Sequence, residues 1–249
     1  MRSEELFYCE NITKNYGGEP VVQDISLELE EGGFISLLGP SGTGKTTLFN
    51  VLAGVDYPDE GKVYLHGKDI TGISGKVSYM LQKDLLLEYR TVLDNVILPL
   101  VIRGEKKKTA REKAAPFFLS FGLSGYEKKY PAQLSGGMRQ RAALLRTYMS
   151  HNEIILLDEP FSALDAITRR QMQNWYCEIV KTMKLSTLFI THDVEEALLL
   201  SDTVYIMNGK PGIITAKINV LPQRPRDHNF STSPEFAGQK RLLLESLDL

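Results

Sequence analysis

Apolar positions along this chain recur with two periods, and the changes between them mark out its elements. From Val21 to Glu30 the alternation is regular, with Ile25, Leu27 and Leu29 apolar and Ser26, Glu28 and Glu30 polar. Successive side chains of a strand face opposite sides, so this stretch predicts a half-buried strand in an antiparallel layer. Leu6 to Tyr16 predicts a strand before it, turned by Gly17-Gly18. Gly61 to Ile70 predicts a hairpin around His66-Gly67, with His66 a turn residue rather than a ligand. Phe34 to Leu38, Lys76 to Leu81, Ile154 to Leu157, Ser186 to Ile190 and Val204 to Met207 are short and mostly apolar, as strands buried on both faces are. A turn at Asn208-Gly209 and a strand from Gly212 to Val220 complete the set.

Elsewhere the period approaches that of a helix. Between Ala166 and Lys184, the residues Met172, Trp175, Tyr176, Ile179, Val180 and Met183 form one stripe, which reads as core and not as a cofactor box. Helices are also predicted from Leu48 to Ala53, from Ala114 to Phe121 with Pro116 in the first turn, from Ser135 to about Ser150, and from Glu235 to Leu247. Lys83 to Arg103 concentrates apolar residues in a segment broken by Pro99 and Gly104, part of which must form a buried helical lobe. Lys106-Lys107-Lys108 reads as a solvated loop or helix face, His151 as solvent-facing, and Gln223 to Pro234 as a polar loop.

Composition narrows the class. The 249 residues are 43% hydrophobic and 24% charged, which suits one large domain or two intimate lobes. A net charge of -2 offers no field to draw in nucleic acid, so no nucleic-acid partner is expected. Two cysteines, Cys9 and Cys177, read as reduced thiols of a cytosolic chain, with a disulfide between them left open. Acids stand at the start where a signal peptide has basic residues, and no apolar run reaches the roughly eighteen residues of a membrane span. A soluble protein is expected, with any membrane role reached through a partner.

The chemistry begins at Gly39-Pro40-Ser41-Gly42-Thr43-Gly44-Lys45-Thr46-Thr47, between the strand ending at Leu38 and the helix from Leu48. Strand, glycine-rich loop and helix in that order form a phosphate-binding loop. Its glycines let backbone N–H groups turn around an anion, and the helix start adds donors at the positive end of its dipole. Lys45 brings a full charge to the outer phosphates, and the Thr46 hydroxyl is placed for Mg²⁺. Asp158-Glu159 ends the apolar run Ile154 to Leu157, where an α/β sheet presents functional groups. Two adjacent acids there divide the work, Asp158 toward the metal shell and Glu159 toward the attacking water. Ser135-Gly136-Gly137 opens a helix, with Ser135 able to cap or donate. His192 closes the next apolar strand after the acids, Ser186 to Ile190, and is a candidate for a γ-phosphate contact.

The ordered set of these motifs resembles the ATP-hydrolysing subunit of ATP-binding cassette (ABC) transporters. The matching pieces are Gly39 to Thr46, Gln82 after a strand, Leu134-Ser135-Gly136-Gly137, Leu157-Asp158-Glu159, Ser162-Ala163-Leu164-Asp165, and His192. The resemblance spans about Leu6 to Val220. It implies an α/β P-loop NTPase core with a mostly parallel sheet, an antiparallel β layer and an inserted helical subdomain. The core would comprise 1–82 and 151–225, the helical subdomain about 83–150, and a C-terminal extension with a short helix 226–249. It implies ATP and Mg²⁺ as cofactors. Tyr16 would stack on adenine, while Ser41, Gly42, Gly44, Lys45 and Thr47 would hold the phosphates. Thr46, Gln82 and Asp158 would order Mg²⁺ and water, Glu159 would be the catalytic carboxylate, and His192 would contact the γ-phosphate. Ser135 and Gly137 would act on ATP held by a second copy, with Asp165 at that seam.

The run Leu81 to Val96, with Arg224-Pro225-Arg226-Asp227, is similar to the nitrate/sulfonate/taurine import group, which also includes thiamine-precursor importers. That similarity implies a solute-binding protein in the same system and a place on the cytoplasmic face of the cell membrane. A permease is expected to dock near 83–102, because Leu85, Leu86, Leu87 and Tyr89 are more apolar groups than a small lobe can bury and so mark an interaction surface. Met138 and Leu145-Arg146-Thr147-Tyr148 depart from the family's usual residues without removing a catalytic group. A soluble ABC-type ATPase working on another macromolecule and a non-hydrolysing regulator are the alternatives. One cassette without a long heptad stretch argues against the first, and Glu159 with His192 against the second.

Overall fold

The computed structural model describes residues 5–183, 185–224, 226 and 229–247. Met1 to Glu4, Lys184 at the end of the predicted helix, and Pro225 and Asp227 of the tail motif lie outside the described residues. The chain packs as two compact units, one holding the residues up to Val77 together with those after Met183, the other Ser78–Met183. The expected helical segment 83–150 lies within the second unit, which also takes in the acid pair.

The first unit opens with strands β1 (Glu5–Tyr16) and β2 (Glu19–Glu30), paired antiparallel. The alternation of β2 puts Ile25, Leu27 and Leu29 inside, as its sequence requires. Strand β3 (Phe34–Leu38) is buried throughout and leads through the glycine-rich loop into α1 (Lys45–Leu52). Strands β4 (Glu60–Leu65) and β5 (Lys68–Asp69) make the hairpin at His66-Gly67, and β4 pairs with β1 to complete a layer ordered β2-β1-β4-β5.

In the second unit, β6 (Ser78–Met80) pairs parallel with β7 (Ile154–Asp158). Between them lie α2 (Val92–Val96), α3 (Leu98–Ile102), α4 (Lys107–Ser120) and α5 (Gly136–Tyr148), and α6 (Ala166–Met183) follows β7. Met172, Tyr176, Ile179 and Val180 of α6 are buried as the stripe predicted, while Trp175 is half-buried and donates its indole N–H to Ser120 O at 3.2 Å.

Three expectations are corrected here. Pro116 sits inside α4, not in its first turn, because the helix begins seven residues earlier than predicted, at Lys107 instead of Ala114. Strong helix formers and the buried Ala110, Ala114 and Phe118 outweigh the amide hydrogen bond that proline removes. The lobe from Lys83 is not one buried helical body: 83–90 is irregular and two short helices follow. Within it, Leu86 is only 7% exposed and belongs to the core, not to the expected docking surface, whereas Tyr89 is 75% exposed.

Two side chains explain that irregular segment. Asn95 is fully buried, accepts the Leu87 N–H at 2.7 Å, and donates to the carbonyls of Leu87, Arg90 and Thr91 at 3.1, 3.2 and 3.0 Å. Arg146 of α5 donates to Leu85 O at 2.7 Å and Asp84 O at 2.5 Å. Backbone groups that no helix or ladder satisfies are satisfied by these two instead.

The chain returns to the first unit with β8 (Ser186–Thr191), α7 (Val194–Leu200), β9 (Thr203–Asn208), β10 (Ile213–Asn219) and α8 (Pro234–Ser246). Strands β8 and β9 flank β3 in parallel, and β10 is antiparallel at the edge. The C-terminal helix is not a mere appendage. Phe230, Phe236, Leu243 and Leu247 are buried in one cluster with Leu38, Ala197, Leu198, Val204 and Ile206. Each such side chain contributes about 1.5–3 kcal/mol relative to exposure.

The tail motif is structural in its described residues. Arg224 grips Asp202 with two nitrogens at 2.7 and 2.5 Å, while Asp202 accepts the Phe34 N–H at 2.8 Å. Arg226 donates to Leu199 O at 3.2 Å and Ser201 O at 2.6 Å. Arg224 thus braces the end of β3 opposite the glycine-rich loop, and Arg226 the segment around Leu199 and Ser201. No disulfide joins Cys9 and Cys177, and burial pushes the Cys9 thiol up to about 12. No helix among the described residues is long and apolar enough to cross a membrane.

Candidate functional site

The first unit supplies the glycine-rich loop. Gly42 and Gly44 adopt φ of 83° and 91°, the left-handed region that lets consecutive amides curl inward. A Cβ at Gly44 would meet Val22 Cγ1 at 2.7 Å, and one at Gly39 would meet Met207 O at 2.2 Å, so the loop rests closely on β2 and β9. Pro40, Ser41, Gly42 and Thr46 are exposed along it, and Thr47 is half-buried. Thr43 is buried, and its hydroxyl donates to Pro40 O at 3.0 Å. Lys45 is 5% exposed, and its ammonium donates to Gly39 O and Pro40 O, both at 2.8 Å. Those carbonyls compensate a charge taken out of water. A helix's first amides have no acceptor within the helix, and α1 begins at Lys45, so the loop ends on a turn built for anions.

Two further candidates belong to this unit. Tyr16 closes β1 and is 47% exposed, so it is not core. His192 is exposed just after the fully buried β8. The chain turns there because Asp193 caps α7, accepting the Glu195 and Glu196 N–H groups at 2.8 and 3.2 Å.

The second unit supplies the carboxylates. Asp158 is the last residue of β7, 4% exposed, with the Tyr79 hydroxyl 3.5 Å from its oxygen. Burial and that carboxylate push the Tyr79 hydroxyl well above its ordinary value. Glu159 follows with φ 44°, a left-handed conformation uncommon for a residue with a Cβ. Such backbone outliers gather at functional sites, where the surroundings over-determine them. Gln82 donates its amide nitrogen to Glu159 Oε2 at 3.3 Å and to Ser162 Oγ at 3.4 Å, and Ser162 Oγ donates to Glu159 O at 2.9 Å. Gln82, Glu159 and Ser162 thus form one polar cluster.

Ser135, Gly136 and Gly137 open α5 in the same unit. Ser135 is exposed and caps the helix, accepting the Met138 N–H at 3.3 Å. Asp165 similarly accepts the Thr168 N–H at 3.0 Å at the start of α6, and bonds to Thr168 and Ile167 hold its carboxyl below the usual range. Sequence reasoning missed two groups around these sites. Val21 and Val22 floor the phosphate loop, and Lys14 with Asp56 surrounds Tyr16. Neither carries a local sequence signal, because each acts across a tertiary contact.

Comparison with known proteins assigns the chain. The ABC transporter family matches residues 22–162. The formylaminopyrimidine import ATP-binding protein ThiZ of Halalkalibacterium halodurans is 43% identical over 245 residues, 98% of this chain and 95% of its own. The taurine import ATP-binding protein TauB of Escherichia coli O157:H7 is 41% identical over 244 residues, 96% of each chain. The solved structure of a dimeric bacterial ABC transporter cassette has a TM-score of 0.74 at 27% identity, covering 87% of this chain and 100% of that one. The match runs along nearly the full length of those relatives, and the chain belongs to the ABC transporter family as an ATP-binding subunit.

Proposed function

We propose that this chain hydrolyses ATP to drive import of a small solute through a partner permease. The observation that carries this reading is the pairing of Gln82 with Glu159 at the end of β7, in a chain that also bears an intact phosphate loop. A non-hydrolysing regulator needs no such carboxylate. A similar cassette has been solved in a post-hydrolysis state bound to ADP and Pi, and the relatives above are named for import.

Roles follow from the chemistry of each group. The amides of Ser41 to Thr47, with Lys45, hold the triphosphate, and Tyr16 stacks on adenine. Glu159 orients and deprotonates the attacking water, and His192 contacts the γ-phosphate. For Mg²⁺ the chain offers the Thr46 hydroxyl, the Gln82 amide oxygen and the Asp158 carboxylate. All are hard oxygen donors, and Gln82 already uses its nitrogen toward Glu159 and Ser162. When bound, Mg²⁺ neutralises charge on the β- and γ-phosphate oxygens. Ser135, Gly136 and Gly137 close on the nucleotide of a second copy, with Asp165 at the seam. A solute-binding protein serves the same system, and the chain works at the cytoplasmic face of the membrane. The purified chain is expected to release phosphate from ATP in a vanadate-sensitive reaction; binding of ATP without turnover would leave only the regulator.

The permease docks near 83–102, where Leu85, Tyr89 and Ile102 are exposed. Asn95 and Arg146 hold this segment, and Arg146 lies on the helix that Ser135 caps, so nucleotide closure reaches the docking face through bonded groups. Tyr89→Asp is expected to abolish capture by the permease with an unchanged melting temperature. Leu86→Asp, placing a charge in the core, is expected to lower the melting temperature and the soluble yield. A destabilised Tyr89→Asp chain, or one still captured, would remove this surface from the docking site.

A further inference from the structure

Tyr16 is held at its position by the loop that follows α1. Its hydroxyl donates to Asp56 Oδ2 at 2.5 Å, and Lys14 Nζ lies 5.2 Å from its ring centroid. Lys14 is itself fixed, 3.1 Å from Asp56 Oδ1 and donating to Tyr57 O at 2.7 Å. The same loop is stitched to β1 twice more: Asp59 N donates to Thr13 O at 2.8 Å, and Asn15 N donates to Asp59 Oδ2 at 2.5 Å. On its other side, the N–H groups of Val55 and Asp56 both donate to Asn50 O, at 2.9 and 3.1 Å. Asn50 belongs to α1, the helix that starts at the phosphate loop.

We infer that Asp56 and Lys14 are positioning residues for the nucleotide base: they fix the Tyr16 ring for stacking and lock it to the helix that carries the phosphate loop. The inference rests on the reading of Tyr16 as the adenine-stacking residue. An exposed tyrosine loses rotamer freedom when a base lands on it, and a ring already tethered at its hydroxyl has less to lose. Lys14 lies over the ring within cation–π range, which adds a second restraint. The hydrogen bond to Asp56 also pushes the Tyr16 hydroxyl up to about 12 and lowers the Asp56 carboxyl, so both stay in their bonding forms at neutral pH. An exposed ion pair of this kind adds little to stability, so its effect is read in nucleotide binding.

The test measures dissociation constants of the full chain for ATP and for inorganic tripolyphosphate, which shares the phosphates and lacks the base. Tyr16→Ala is expected to weaken ATP about tenfold and leave tripolyphosphate unmoved. Asp56→Ala is expected to weaken ATP roughly threefold to tenfold, again without effect on tripolyphosphate. Asp56→Asn, whose carbonyl still accepts the hydroxyl, should recover most of that loss. Tyr16→Phe should bind ATP like Asp56→Ala, and combining the two should add nothing. In turnover the Asp56→Ala defect should appear in KM and not in kcat. Equal weakening of ATP and tripolyphosphate by Asp56→Ala, unchanged ATP affinity, or losses that add to those of Tyr16→Phe would overturn the inference. A Tyr16→Ala chain with wild-type ATP affinity would remove the stacking role itself, and with it the reason for the tether.

Discussion

Glu159→Gln is expected to bind ATP as the wild-type chain does and to lose turnover by roughly a hundredfold or more, the scale of removing one group from a preorganised site. Glutamine keeps the size of the side chain and can still bond to Gln82 and Ser162, so the fold of the cluster should survive. It cannot take the proton of the attacking water, which is the task assigned to the carboxylate. If hydrolysis reopens the nucleotide-bound dimer proposed above, the variant should also accumulate as an ATP-bound dimer. Phosphate release measured beside size-exclusion chromatography reads both effects. A variant that turns over at the wild-type rate would place the base elsewhere.

The second large effect tests whether each nucleotide is shared between two copies. Lys45 lies on the phosphate loop of the first unit, and Ser135 caps a helix of the second. If each nucleotide is gripped by Lys45 of one copy and Ser135 of the other, Lys45→Ala and Ser135→Arg should each abolish activity alone. Mixed, they form a heterodimer in which one site carries both defects and the other carries neither. With two-fold symmetry and random pairing, the mixture should recover about one quarter of the wild-type rate. Heterodimers that form and remain inactive would count against shared sites, or mean that both sites must fire together. Sites built within one copy predict no recovery at any mixing ratio.

The sequence by itself determined what is local and contiguous. The phosphate loop was legible because its donors are successive amides, its glycines adopt the φ values the turn demands, and α1 begins directly after Gly44. The strands β3, β7 and β8 were legible as short apolar runs because both of their faces are covered. The order of the motifs carried the family. What only the tertiary structure decided are meetings across the chain and burial where no period exists. Gln82 and Glu159 are 77 residues apart, Tyr16 and Asp56 are 40 apart, and no spacing rule connects either pair. Pro116 shows local preference overruled by the packing of Ala114 and Phe118. Leu86 and Tyr89 are three residues apart in a segment without regular structure, so no periodicity could assign their faces. Asn95 and Arg146 fold that segment by taking its carbonyls, which turns Leu86 into the core and leaves Tyr89 in solvent.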